Sequence, residues 1–170
     1  MSDTSALRTL VLGLGNPIMG DDGLGLAVLQ RLEEAWDVPP EVELVDGGTW
    51  GMNLLPLIED ADRVLFLDAI NRDLPPGALV VLGRDELPRY FSHKLSPHQI
   101  DLREVLGLME LRGTMPEQMV AIGLQPLLLE LSTELSPALA ARVDEIAALA
   151  AGQLERWGHV CRCLEDPVPA

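Results

Sequence analysis

The sequence predicts an α/β fold: a mostly parallel sheet with helices covering both of its faces. Two observations carry this expectation. Short apolar runs of buried-strand character alternate along the chain with stretches of helical spacing, as in consecutive strand-helix-strand units. The 170 residues, 48% of them hydrophobic, suffice for one proper core and are too few for two ordinary domains.

The elements follow in order. Thr9 to Leu14 is the first strand and runs into Gly13-Leu14-Gly15-Asn16-Pro17. Leu24, Val28, Leu32 and Trp36 then recur at helical spacing, so a helix opens near Gly23. Pro39-Pro40 closes that unit, and Val42 to Val45 forms a second strand ending at Asp46-Gly47-Gly48-Thr49. The next helical stretch, Met52 to Ile58, contains Pro56, which is tolerated only in a first turn. That helix is expected to start late, near Asn53, or to kink.

Val64 to Leu67 is a third strand that stops at Asp68, and Leu79 to Leu82 is a fourth. Ser96-Pro97-His98-Gln99 reads as a helix start, with serine at the cap, proline at the first helical position and glutamine three residues after the cap. This helix should run to Gly113. Met119 to Ile122 is a fifth strand. Ser136-Pro137 starts one long closing helix with Leu139, Val143, Ile146, Ala150, Leu154 and Trp157 on one face. Residues 1–157 are expected to form the domain and residues 158–170 a mobile tail.

Charge and composition narrow the function. Twelve basic residues against 27 acidic ones leave a net charge of −15, and the basic residues are scattered singly, which disfavours a nucleic-acid ligand. A cationic peptide segment or a metal centre suits this balance better. No apolar run approaches a membrane span and no leader pattern is visible, so the expected location is the cytoplasm. Cys161 and Cys163 make no disulfide framework, and with His159 they lack the second ligand pair of a zinc site.

In parallel sheets, ligands gather beyond the carboxyl ends of the strands. Asp21 and Asp22 follow strand one, Asp46 ends strand two, Asp68 ends strand three, and His98 opens the helix after strand four. Carboxylates crowded at one edge repel unless a cation joins them. The first helical turn disfavours a charged imidazolium, and a neutral imidazole is what a metal requires. Asp22, Asp68 and His98 are therefore the candidate ligands, suited to nickel, zinc or iron, with open positions for substrate. His93, beside Lys94, is a weaker candidate. Ser92, Ser96 and Thr49 are isolated hydroxyls without a G-x-S-x-G elbow, no H-E-x-x-H helix exists, and the glycines fail the G-x-G-x-x-G spacing.

Gly13-Leu14-Gly15-Asn16 through Asp21-Asp22-Gly23, then Asp46-Gly47-Gly48-Thr49, Leu67-Asp68-Ala69 and Ser96-Pro97-His98-Gln99 occur in this order. Together they resemble the nickel-iron hydrogenase maturation endopeptidases, from about Thr9 to about Trp157. The resemblance implies a three-layer α/β/α fold whose five-stranded sheet has one antiparallel strand. It implies an endopeptidase that removes a C-terminal peptide from the precursor of the hydrogenase large subunit once nickel is inserted. Asp22, Asp68 and His98 fall on the family's nickel-contacting positions, and nickel would arrive bound to the substrate. The first of these positions is often glutamate; Asp22 is one methylene shorter, and Asp21 stands beside it. Asp46 to Thr49 would position substrate or form a tight loop. Two rival readings are a peptidyl-tRNA hydrolase-like enzyme, whose likeness stops at Pro17, and a non-enzymatic metal-binding assembly chaperone.

Overall fold

The computed structural model describes residues 6–48, 50–92 and 97–165, with the backbone alone for residues 91, 92 and 97–101. In chain order the elements are β1 (Thr9–Leu14), α1 (Leu24–Ala35), β2 (Trp36–Asp37), β3 (Val42–Gly48), α2 (Leu55–Glu59), β4 (Arg63–Ala69) and β5 (Leu79–Gly83). They continue with α3 (Leu87–Ser92), α4 (Pro97–Arg112), β6 (Gln118–Leu124), α5 (Pro137–Ala140), α6 (Val143–Arg156) and β7 (Arg162–Cys163).

Five strands form one sheet in the order β3-β1-β4-β6-β5. All neighbours run parallel except β5, which is antiparallel to β6. The reason lies in the connections. Parallel neighbours need a crossover that returns the chain to the starting edge. The segment from Ile70 to Ala78 contains no helix and stays where β4 ends, held by hydrogen bonds from Gly77 N–H to Gln125 O and from Gln125 N–H to Ala78 O. β5 therefore sets out from that edge in the opposite direction.

Alternation along the strands sends side chains to two separate cores. Leu10, Leu12, Val64 and Phe66 pack under Leu54, Ile58, Val105 and Met109 from the α2 and α4 side. Val11, Leu65 and Leu67 pack under Leu24, Val28 and Leu32 of α1 and Ile146, Ala150 and Leu154 of α6. All six residues of β1 are buried, as in the middle of a three-layer α/β/α sandwich, whereas edge strand β5 alternates between exposed and buried. The expected fold class is thus the observed one.

Several local expectations are refined. Pro56 sits in the first turn of α2, and a 3₁₀ turn, Gly51–Leu54, absorbs the earlier residues. Trp36 does not continue α1 but turns extended at its end and opens β2. Gly113, with φ of 68°, follows the last residue of α4 as expected. The closing helix is not continuous: α5 ends at Ala140 and α6 starts at Val143. At the break, Arg142 donates to the Gly77 carbonyl and pairs with Glu145.

The segment after α6 packs rather than trailing free as far as Glu165. β7 pairs antiparallel with β2, Cys161 is buried in the α1–α6 core, and His159 Nε2 shares a 2.8 Å hydrogen bond with Thr9 Oγ1. Arg31 pairs with Asp144 and Glu165.

Gly25 decides how closely α1 approaches the sheet. A Cβ there would lie 2.1 Å from the Leu67 carbonyl oxygen and 2.3 Å from that of Leu14. Gly25→Ala should push α1 off the sheet and lower stability by about 1–3 kcal/mol. Gly152→Ala in α6, where a Cβ meets nothing within 4 Å, should instead raise it by about 0.5–1 kcal/mol. Urea denaturation of both variants checks the pair.

Candidate active site

β1 and β4 are parallel neighbours, and the chain leaves them toward opposite edges of the sheet, to β3 from β1 and to β5 from β4. A crevice opens where such connections diverge. The two aspartates singled out from the sequence flank it. Asp22 lies in the 3₁₀ turn Gly20–Gly23 that precedes α1, and this turn packs on β4. Asp68 is the penultimate residue of β4. Both are buried, at 7% and 1% exposure.

Glycine makes room for both backbones. Gly15, at φ of 124°, adopts a conformation that L side chains rarely take, and a Cβ there would sit 1.8 Å from the Asp22 carbonyl oxygen. Gly123, paired across the sheet with Asp68, would place a Cβ 1.9 Å from the Asp68 carbonyl oxygen. The Asp22 carboxylate is aimed by its Oδ2, which accepts the Asn16 N–H at 3.0 Å.

Asp21 has a different task. It is wholly buried, and its Oδ2 accepts the N–H groups of Leu127 at 2.9 Å and Leu128 at 2.8 Å and the Ser136 hydroxyl at 2.9 Å. Its Oδ1 accepts the Ser136 N–H at 2.7 Å. Burial alone would push this carboxyl up, but the hydrogen bonds from Leu128, Ser136 and Leu127 outweigh it and hold it below its ordinary value. Four donors occupy the carboxylate, so it is a strut between the acidic turn and the strap of residues 126–136. Ser136 starts α5 as expected, yet its hydroxyl goes to Asp21 rather than to the helix. The strap was invisible in the sequence because its partner lies more than a hundred residues away.

Asp46 is exposed near the end of β3. Pro97 begins α4, so the backbone of His98 is in the first helical turn, while its side chain, and all of His93, Lys94, Ser96 and Thr49, lie outside the described residues. Among the described residues, no three possible metal ligands come together. The donor set at the crevice is thus two buried carboxylates, chemistry that fits a divalent cation. At the other pole, burial, aided by Glu155, Asp37 and Glu41, pushes the Cys161 thiol up to about 11, so it stays protonated at neutral pH.

The profile of the hydrogenase maturation protease family matches residues 26–153. The chain belongs to this family. HupD of Rhodobacter capsulatus, a hydrogenase expression/formation protein, is 38% identical over 89% of this chain and 73% of its own length. The hydrogenase 2 maturation protease of Escherichia coli K12 is 35% identical over 81% of this chain and 85% of its own. The hydrogenase-maturating endopeptidase HybD of E. coli has the same fold, with a TM-score of 0.89 at 32% identity, covering 95% of this chain and 100% of the other. Hydrogenase maturation proteases are hydrolases, and the peptidyl-tRNA hydrolase alternative falls. Among the described residues no helix of this protease is long and apolar enough to cross a membrane.

The strut has a measurable pH signature. Because the Asp21 carboxyl is held below its ordinary value of 3.8, its contribution to stability is complete above that value and is lost as pH falls through the lowered one. Asp21→Asn, which turns an amide N–H toward backbone N–H donors, should cost at least about 2 kcal/mol at pH 7. The difference from the parent should shrink below pH 4, as followed by urea denaturation across pH.

Proposed function

We propose that this protease is an endopeptidase that removes the C-terminal peptide of a nickel-iron hydrogenase large-subunit precursor after nickel insertion, and that it acts in the cytoplasm. Asp22, Asp68 and His98 are the residues we assign to the reaction, as contacts to nickel that the substrate brings. The observation that carries this reading is the pair of buried carboxylates at the carboxyl edge of the sheet, Asp22 in the turn that packs on β4 and Asp68 near the end of β4. Such a pair at the carboxyl edge of a parallel sheet favours a cation between its members.

The assignment of Asp22 over Asp21 rests on hydrogen bonding. All four donors around Asp21 belong to the strap, whereas the Asp22 carboxylate accepts the Asn16 N–H of the loop that follows β1. A carboxylate engaged by four N–H and O–H donors is a poor metal ligand, since coordination would strip them. Nickel held by the precursor then serves as the signal that insertion is complete. Recognition and proofreading become one event, and the protease needs no resident metal. The chaperone reading uses the same contacts without peptide-bond cleavage, and the same assay separates it.

The test is mass spectrometry of nickel-loaded and nickel-free precursor after incubation with the protease. The loaded form should be shortened and the nickel-free form left intact; equal processing of both would sink the proposal. Asp68→Asn and His98→Ala should abolish cleavage, whereas Cys163→Ser at the opposite pole should leave it unchanged.

A further inference from the structure

An open groove of about 500 Å³ runs beside the Asp22 turn. Gly20 and Gly23 of that turn form one end, and Leu26 and Leu29 of α1 with Leu135 of the strap supply apolar walls. Among the described residues its two acidic lining residues are Glu33 and Asp46, and no lysine or arginine lines it. Neither acid is in an ion pair among the described residues. The strap that leads into the groove leaves Leu127, Leu129 and Leu131 exposed at 60%, 52% and 78%, beside Ile18 at 50%.

We propose that this groove binds an extended, apolar and basic stretch of the precursor polypeptide next to the metal-bearing part of the substrate. The inference rests on the reading of the substrate as a polypeptide precursor and goes beyond it by naming the surface and the side chains it selects. Volume and shape come first: the groove holds a few side chains and is open along α1, which suits an extended chain crossing the site. Charge comes second. Two carboxylates on an apolar floor, in a chain of net charge −15, attract lysine or arginine and repel an acidic segment. A second copy of this chain is a poor occupant, because both partners would carry the same large negative charge. Continuity comes third, since the strap that supplies Leu135 to the groove wall also carries the exposed Leu127, Leu129 and Leu131.

The experiment uses fluorescence anisotropy of two labelled peptides: the C-terminal segment of the large-subunit precursor, and the same segment with every lysine and arginine replaced by glutamine. Each is titrated with the intact protein, with Glu33→Lys, and with Glu110→Lys. The last makes the same change in net charge on the exposed face of α4, away from the groove. The native peptide should bind the parent about fivefold more tightly than the glutamine peptide, the range of one exposed ion pair. Glu33→Lys should erase that preference and Glu110→Lys should keep it.

Equal loss from both variants would mean a bulk charge effect and would overturn the proposal, as would equal binding of the two peptides or no binding of either. A dimer in sedimentation that Glu33→Lys dissolves would assign the groove to a second copy and overturn it too. Precursor processing is scored in parallel. If the discrimination holds but the loaded precursor is never cut, the groove stands and the functional reading falls. If the precursor is cut and the peptides ignore Glu33, the reading stands and the groove falls.

Discussion

Four hydrogen bonds converge on the carboxylate of Asp21, and two segments at the carboxyl edge of the sheet depend on them. On one side is the turn that carries Asp22; on the other is the strap from Pro126 to Ser136, which has no regular secondary structure of its own. Backbone contacts reinforce the junction, with Gly20 N–H donating to Ser132 O, Asp21 N–H to Leu128 O and Ser132 N–H to Ile18 O. A charged group so deeply buried is tolerable only because its donors are all in place. Remove it, and several strap N–H groups lose their partner together.

Close backbone approach is the second constraint. Gly15, Gly25 and Gly123 each stand where a methyl group would collide with a carbonyl oxygen, and those oxygens belong to Asp22, to Leu67 and Leu14, and to Asp68. The backbones of both aspartates are thus held tight against their neighbours by the absence of side chains at Gly15 and Gly123. Main-chain packing of this kind transmits position more rigidly than side-chain contacts, because the backbone has few soft degrees of freedom.

Much of the fold was legible along the chain. The five strands, the helix after β1, the start of α4 at Pro97 and its stop at Gly113 all followed from periodicity and from capping residues. What escaped was tertiary in origin. Asp21 and Asp22 look alike as neighbours, yet a 3₁₀ turn projects successive side chains about 120° apart, so one carboxylate meets the strap and the other the N–H of Asn16. The closing helix breaks at Arg142, whose guanidinium reaches the carbonyl of Gly77, a partner that local pattern does not reveal. The segment after α6 reads as loose because its contacts, to Thr9 and to β2, lie far back in the chain. Asp68 stood out in the sequence because a carboxylate that ends an apolar run has few structural reasons to be there, and the structure buries it at 1% exposure near the end of β4.

The hydrogen bond between Thr9 and His159 joins the start of β1 to the segment beyond the last helix, at the pole of the sheet away from Asp22 and Asp68. The closure of the fold is therefore completed on the side of the molecule opposite the proposed site. That division of labour bears on evolvability. Loops at the carboxyl edge of the sheet are free to drift while the opposite pole holds the scaffold together, so selectivity can diverge among relatives without each change being tested first against the integrity of the sheet.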